Sequence, residues 1–283
     1  MKPSSAVLRA ALIQAKVELR PYFTGPSLIA LVAMPISLSL VVFFIGINEV
    51  QIDGWGPIMF VGAAATMATM LPMQLTSEFY TDRVTGALFR LRILPHGTLS
   101  WSIGKTISQF VLFCLPQLLV LIVGALFFPT SLSSPGKIAG LILVAVFSAA
   151  ACAPLGFILG SQVRGMYSLA FFSIVLLTLF VTSGGFFPIT TLSLFVQIIH
   201  LVFPFYWAGH LARWVLLDSP APQYEFGGSS QPLIAIAILL AWLIVGFAVA
   251  SVVVRHSFRT ESLSTLEKMR RAFKSESGLY ING

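Results

Sequence analysis

Six stretches of the sequence contain no Asp, Glu, Lys or Arg: 27–47, 57–77, 107–128, 138–160, 168–187 and 232–254. A helix rises about 1.5 Å per residue, so ~20 residues cross a hydrocarbon layer of ~30 Å. A charge at mid-bilayer costs at least ~2.5 kcal/mol, and all 27 charged side chains lie between the six stretches. That pattern excludes an ordinary water-soluble domain. Cysteine is scarce too. Cys114 and Cys152 both fall inside apolar stretches, where they are expected to pack as small apolar side chains and to form neither a disulfide nor a metal site. The first 26 residues are too polar for a secretory signal, so the first apolar stretch is expected to direct insertion.

Hydrophobic residues make up 57% of the chain and charged ones 10%, with a mean hydropathy of +0.92. Six spans and their connections nearly exhaust the 283 residues, leaving no room for a folded catalytic domain. The expected fold is an all-α integral membrane protein built as a single transmembrane domain over 1–283. Its expected parts are six transmembrane helices, an N-terminal amphipathic interfacial helix (4–23) and an outer re-entrant helix before the last span.

Lysine and arginine retained on one face mark the cytoplasmic side. With the N-terminus inside, fifteen of the seventeen basic residues are cytoplasmic, and only Lys137 and Arg213 lie outside. Both termini, including a tail over 255–283, are therefore expected in the cytoplasm of a cell with this multi-pass protein in its plasma membrane. The net charge of +7 follows from that bias and from anionic lipid, and does not imply nucleic-acid binding.

The segment 188–203 is apolar but too short to cross, and it follows Gly184, Gly185, Phe186, Phe187 and Pro188. A re-entrant helix on the outer side is expected. Beyond it, 204–231 holds three more prolines, Pro204, Pro220 and Pro222, and a Gly227-Gly228 pair, which predicts an exposed outer loop. Near the N-terminus Leu8, Leu12, Ala15 and Leu19 form one helical stripe bordered by Arg9, Lys16 and Arg20. This describes a helix lying in the headgroup layer, acting chiefly as an anchor.

Catalytic motifs are lacking. Gly104-Lys105-Thr106 would end a phosphate-binding loop, but position 99, where the first glycine belongs, is Leu99. His96, His200, His210 and His256 do not share metal-ligand spacing. No Gly-x-Ser-x-Gly turn is present. No catalytic residue and no metal site is assigned, and no cofactor is expected on this chain. Ion-driven carriers usually hold a carboxylate or histidine within the membrane, whereas these spans offer Gln74, Gln109, Gln117 and hydroxyls. Energy for any transport must then arrive from outside the membrane.

Small residues supply packing surfaces. Gly156 and Gly160 form a small-xxx-small face that admits another helix closely. Pro35, Pro72, Pro116 and Pro154 lie within four of the spans and remove backbone donors there.

The most specific pattern lies in the connection 78–104. Glu78, Gly86, Leu88, Arg90, Pro95, Gly104 and Lys105 are spaced as in the segment after the second span of type-2 ABC transporter permeases, which the chain resembles. A second block, Ser183, Gly184, Phe187, Pro188, Pro204, Tyr206, Leu211 and Arg213, is similar to the family's segment before the last span. The acidic pair is shifted to include Asp82, Gly185 is an added residue, and Phe203 stands where the family often has Asn.

The resemblance implies a coupling helix docking on a separate ATPase. Arg90, Arg92 and His96 would be its polar contacts, Leu91, Ile93 and Leu94 its apolar knobs, Pro95 its break and Glu78 its acidic partner. It implies an outer gate from Gly184 to Pro188, two ATPase copies carrying ATP and Mg, and a second permease chain as homodimer or heterodimer. The implied function is the permease subunit of an exporter. Its cargo would be hydrophobic, drug-like or lipid-like, with membrane lipids as further partners. Export of a polysaccharide, polyketide or haem-type molecule, and a non-transporting structural or sensory role, are the alternatives.

Overall fold

In a computed structural model, the described residues are 5–25, 61–62, 67–91, 93–94, 96–127, 133–217 and 224–260, with scattered positions between 28 and 44 and between 267 and 271. Most of the first expected span, part of the second, and most of the tail lie outside them, as do Pro35, Arg92 and Pro95. All regular structure among the described residues is helical.

The helices are α1 (Ser5–Thr24), α2 (Leu71–Val84), α3 (Ala87–Leu91), α4 (Gly97–Phe127) and α5 (Pro135–Gln162). They continue with α6 (Met166–Val181), α7 (Leu194–Val202) and α8 (Pro204–Leu216). The last helical run begins as α9 (Pro232–Ala241), widens into a π turn over Trp242–Gly246 and ends as α10 (Phe247–Thr260). Three stretches are long and apolar enough to cross a membrane: Leu99–Val120, Pro135–Gln162 and Pro232–Ser257. Helix α6 is apolar but shorter, and α7 with α8 forms a pair bent by 86°.

Helix α5 is the centre of the packing, touching α2, α8 and α10 along its length. Its small residues explain why. A Cβ on Gly156 would lie 2.5 Å from Leu75 Cβ and 2.8 Å from the Pro72 carbonyl oxygen, and one on Gly160 would lie 2.7 Å from Phe79 Cβ. The two glycines thus meet α2 of the same chain. Cys152 is buried in this helix, whereas Cys114 on α4 is exposed.

Pro154 also lies inside α5 and fits against Gly246, where a Cβ would come within 2.9 Å of the ring. The π turn therefore sits opposite a proline, at the closest approach of the two helices. One buried cluster, including Phe79, Trp101, Phe113, Phe157 and Val254, fills the end of the bundle near the 91–97 turn. Another, including Leu141, Phe180, Ile189, Trp207 and Leu239, fills the opposite end.

Two expectations need correction, and α1 adds a contact that the sequence did not show. The face of α1 packed on protein is Val7, Ala11 and Ala15, seated where Gly104 of α4 leaves room for the Ala11 carbonyl; Leu8 and Leu12 are exposed. Val7, Ala11 and Ala15 stand four residues apart on one face of α1, where small side chains let the two helices approach closely. The fifth apolar stretch stops being helical at Val181, short of 187. Ser183 Oγ donates to the Phe180 carbonyl at 2.7 Å, and Gly184 follows at φ +83°, a left-handed conformation that favours glycine.

The second correction concerns 204–231. Residues 204–216 form a buried helix, not an exposed loop. Pro204 stands in the first turn, where its missing N–H costs nothing and its fixed φ starts the helix.

Candidate coupling surface and charged clusters

Leu91, Leu94 and Gly97 form a tight knuckle between α3 and α4. The Leu94 N–H donates to the Leu91 carbonyl at 3.2 Å and the Gly97 N–H to the Leu94 carbonyl at 3.1 Å. A Cβ on Gly97 would collide with the Leu91 carbonyl. His96 has φ 56°, an uncommon conformation in which histidine is enriched, and its carbonyl accepts the first N–H groups of α4, from Leu99 and Ser100 at 3.0 Å each. The knuckle holds Ile93 82% exposed and Leu94 54% exposed, an outlay of apolar surface that suits contact with another molecule. Arg90 and His96 are exposed beside them and Leu91 is half-buried.

Behind the knuckle one ammonium gathers three helices. Lys105 Nζ meets Asp82 at 2.9 Å, Glu78 at 3.1 Å and Glu18 at 3.1 Å. A lysine has three N–H donors, and here each faces a carboxylate. Tyr22 donates to Glu78 Oε1 at 2.6 Å, Ser108 to Glu18 Oε2 at 2.7 Å and Trp101 Nε1 to Asp82 Oδ2 at 2.8 Å. Glu18 and Tyr22 come from α1, Glu78 and Asp82 from α2, and Trp101, Lys105 and Ser108 from α4.

Burial pushes the Asp82 carboxyl above its usual range, against the pull of Lys105 and the Trp101 hydrogen bond. The Tyr22 hydroxyl is raised as well, by burial first and then by its hydrogen bond to Glu78.

A second cation locks the same end of the bundle. Arg83 is buried on α2 and donates to the carbonyls of Val163 and Ser161 (2.8 Å to the latter) and to the Ser257 hydroxyl. The last carbonyls of a helix have no partner within it and carry its negative end, so Arg83 caps α5 and ties it to α10. Its guanidinium carbon lies 5.2 Å from the centre of the Phe79 ring, a cation–π contact.

At the opposite end a buried cluster joins α8 to the loop before α9. Glu225 receives Arg213 Nε at 2.6 Å and Nη2 at 3.0 Å, and Tyr206 donates to it at 2.9 Å. His210 Nδ1 lies 2.6 Å from the same carboxylate, and its Nε2 accepts the Gln231 N–H at 2.9 Å. An accepting Nε2 puts the ring proton on Nδ1, which donates to Glu225. Arg213 Nη1 reaches the Gly184 carbonyl at 2.8 Å. Burial alone would raise Glu225, but Arg213 and His210 outweigh it and hold the carboxyl well below the usual carboxylate range.

A family model described as ABC-2 type transporter matches residues 12–217, which takes in α1 from residue 12 onward, the knuckle, the Lys105 cluster and the bent α7–α8 pair. The chain belongs to the ABC-2 type transporter family. It is a multi-pass membrane component of an ABC transporter, of a kind that works with an ABC ATPase and with a second membrane chain. No curated protein matches it.

Within this ABC-2 chain, Glu78 lies behind the knuckle on Lys105 and Arg90, Leu91, Ile93, Leu94 and His96 lie on or beside it, whereas Arg92 and Pro95 fall outside the described residues. Gly184 to Pro188 follow α6, with Phe186 edge-on to Phe180 at 5.2 Å between centroids. The backbone at Gly185 is so close to Gly62 that a Cβ on Gly62 would strike its carbonyl. Gly156 and Gly160 lie on the α2–α5 contact.

Sequence reasoning missed Glu18 and Tyr22 as partners of Lys105, and the convergence of Tyr206, His210, Arg213 and Glu225. Both left a trace. Glu18 is the single acid in α1, and Tyr206, His210 and Arg213 stand at i, i+4 and i+7 of one helix face.

Proposed function

We propose that this chain is the permease subunit of an exporter, and that a separate ATPase drives it by pressing on the knuckle at 91–97. The observation carrying this reading is the pairing of an exposed apolar tip, Ile93 and Leu94, with a charged cluster directly behind it that binds α1, α2 and α4 together through Lys105. A push on the tip then moves three helices as a unit. Two ATPase subunits, each with ATP and Mg, would bind a pair of permease chains, identical or sibling. ATP-driven closure of the ATPases would displace the knuckles and switch access to a pathway between the permeases.

Six crossings, with both termini in the cytoplasm of a plasma-membrane protein, follow from the basic residues. In that orientation the Arg213–Glu225 cluster is extracellular and α7–α8 is a re-entrant cap, with the turn from Gly184 to Pro188 as part of the exit gate. The cargo is hydrophobic or lipid-like, because uncharged spans offer an ionic solute no partner. Within this scheme α1 is a lever as well as an anchor, since Glu18 and Tyr22 join it to the cluster.

The test is co-purification. Ile93→Asp with Leu94→Asp places charges on an exposed tip without disturbing the core. The tagged double variant should keep its wild-type melting temperature yet lose at least tenfold of the ATP hydrolysis that co-purifies with the chain. Retention of full hydrolysis by the folded variant would refute the docking surface.

A further inference from the structure

A cleft of about 560 Å³ opens between the start of α4 and the end of the last helix, away from the Lys105 cluster. Its walls are apolar: Leu99, Ile103 and Ile107 from α4, Phe157 from α5, and Phe247 and Val254 from α10. Two of the hydroxyls lining it are bonded within their own helices, Thr106 to the Ser102 carbonyl and Ser251 to the Ala248 carbonyl, each at 2.8 Å. An alkyl chain entering there does not strand those two donors.

Leu99 to Ile107 and Phe247 to Arg255 each span nine residues, or eight helical steps, so the cleft runs about 12 Å along its helices. One leaflet of a ~30 Å hydrocarbon core is not much deeper. The volume falls in the range of sites that enclose a small amphiphile.

Arg255 stands at the mouth, exposed. It donates to the Ser251 carbonyl at 2.8 Å and to the Ser251 hydroxyl at 3.2 Å, and it has no ion pair among the described residues. Two of five guanidinium donors are thereby used, and the planar fork that remains matches a phosphate. Arg259 follows one turn later on the same helix. A cation over a greasy slot, at the rim where anionic headgroups concentrate, has a defined complement.

We propose that this cleft is a lipid site, holding one acyl chain of an anionic phospholipid of the cytoplasmic leaflet with its phosphate on Arg255. The leaflet rests on the orientation proposed above; the binding itself does not. Lipid here wedges between α4, which begins at the knuckle, and the last helix, so its occupancy bears on how far those helices close.

Native mass spectrometry of the full-length chain, titrated separately with phosphatidylglycerol and phosphatidylcholine, tests the site. Wild type should retain one phosphatidylglycerol at least fivefold more tightly than phosphatidylcholine. Arg255→Gln should abolish that preference. Ser251→Trp, an exposed position that fills the slot, should remove the tightly held lipid altogether, and Arg9→Gln, an exposed cation elsewhere, should change nothing. Equal retention of both lipids by wild type, or an unchanged preference in folded Arg255→Gln, would overturn the proposal. Cysteine labelling of residue 93 from the wrong side would overturn the orientation alone and leave the binding result standing.

Discussion

Arg213→Ala should destabilise the folded chain by about 3–5 kcal/mol, the cost of leaving a buried carboxylate without its counter-ion. Glu225, Arg213, His210 and Tyr206 are all buried, so water cannot enter to repair the loss without opening α8. Glu225→Gln should also be costly, because it leaves the buried Arg213 cation without its counter-ion and turns an amide NH2 toward donors. Changing both ends, Arg213→Leu with Glu225→Leu, should cost less than the single changes summed, since neither then strands a charge.

The pH dependence has a definite sign. The folded-state value of Glu225 is depressed, so its stabilisation is present above the ordinary carboxylate range. It persists through mildly acidic pH and is lost only as pH falls through the depressed value. Thermal unfolding of the chain in detergent reads all of these, and an Arg213→Ala shift equivalent to less than about 1 kcal/mol would contradict the cluster's structural role.

The second large effect is expected at Lys105. Lys105→Met leaves Glu18, Glu78 and Asp82 facing one another without a cation, which should cost about 3–5 kcal/mol and release α1 from α4. Asp82→Asn is the informative contrast. Burial already favours the neutral form of Asp82, Lys105 keeps two carboxylates, and the amide oxygen still accepts from Trp101. That variant should stay within about 1 kcal/mol of wild type. Accessibility of a cysteine placed at Ala11, buried against α4, measures the release of α1: fast labelling in Lys105→Met, slow in Asp82→Asn and in wild type. Similar labelling of both variants would show that Lys105 does not hold the helices together.

The sequence carried some of this plainly. Charge-free stretches marked the long helices over Pro135–Gln162 and Pro232–Ser257 to within a few residues, because the bilayer penalises charge at every position of a span. Gly86, Pro95, Gly104 and Lys105 led to the family. What stayed hidden was long-range pairing. Nothing local in Glu18 says that its partner is Lys105, since a lone acid on an amphipathic helix reads as a solvated face. Residues 204–216 were misread because proline and glycine counts were weighted above the i, i+4, i+7 spacing of Tyr206, His210 and Arg213.

Chemical cross-linking tests the claim that force enters through the knuckle. In a Cys114→Ser background, which removes the exposed native thiol, Ile93→Cys and Gln197→Cys place one reactive group at each end of the molecule. Membranes carrying the complete transporter are treated with a short thiol-to-amine cross-linker. Residue 93 should join the ATPase subunit and residue 197 should not. An ATPase adduct at 197 and none at 93 would contradict the account.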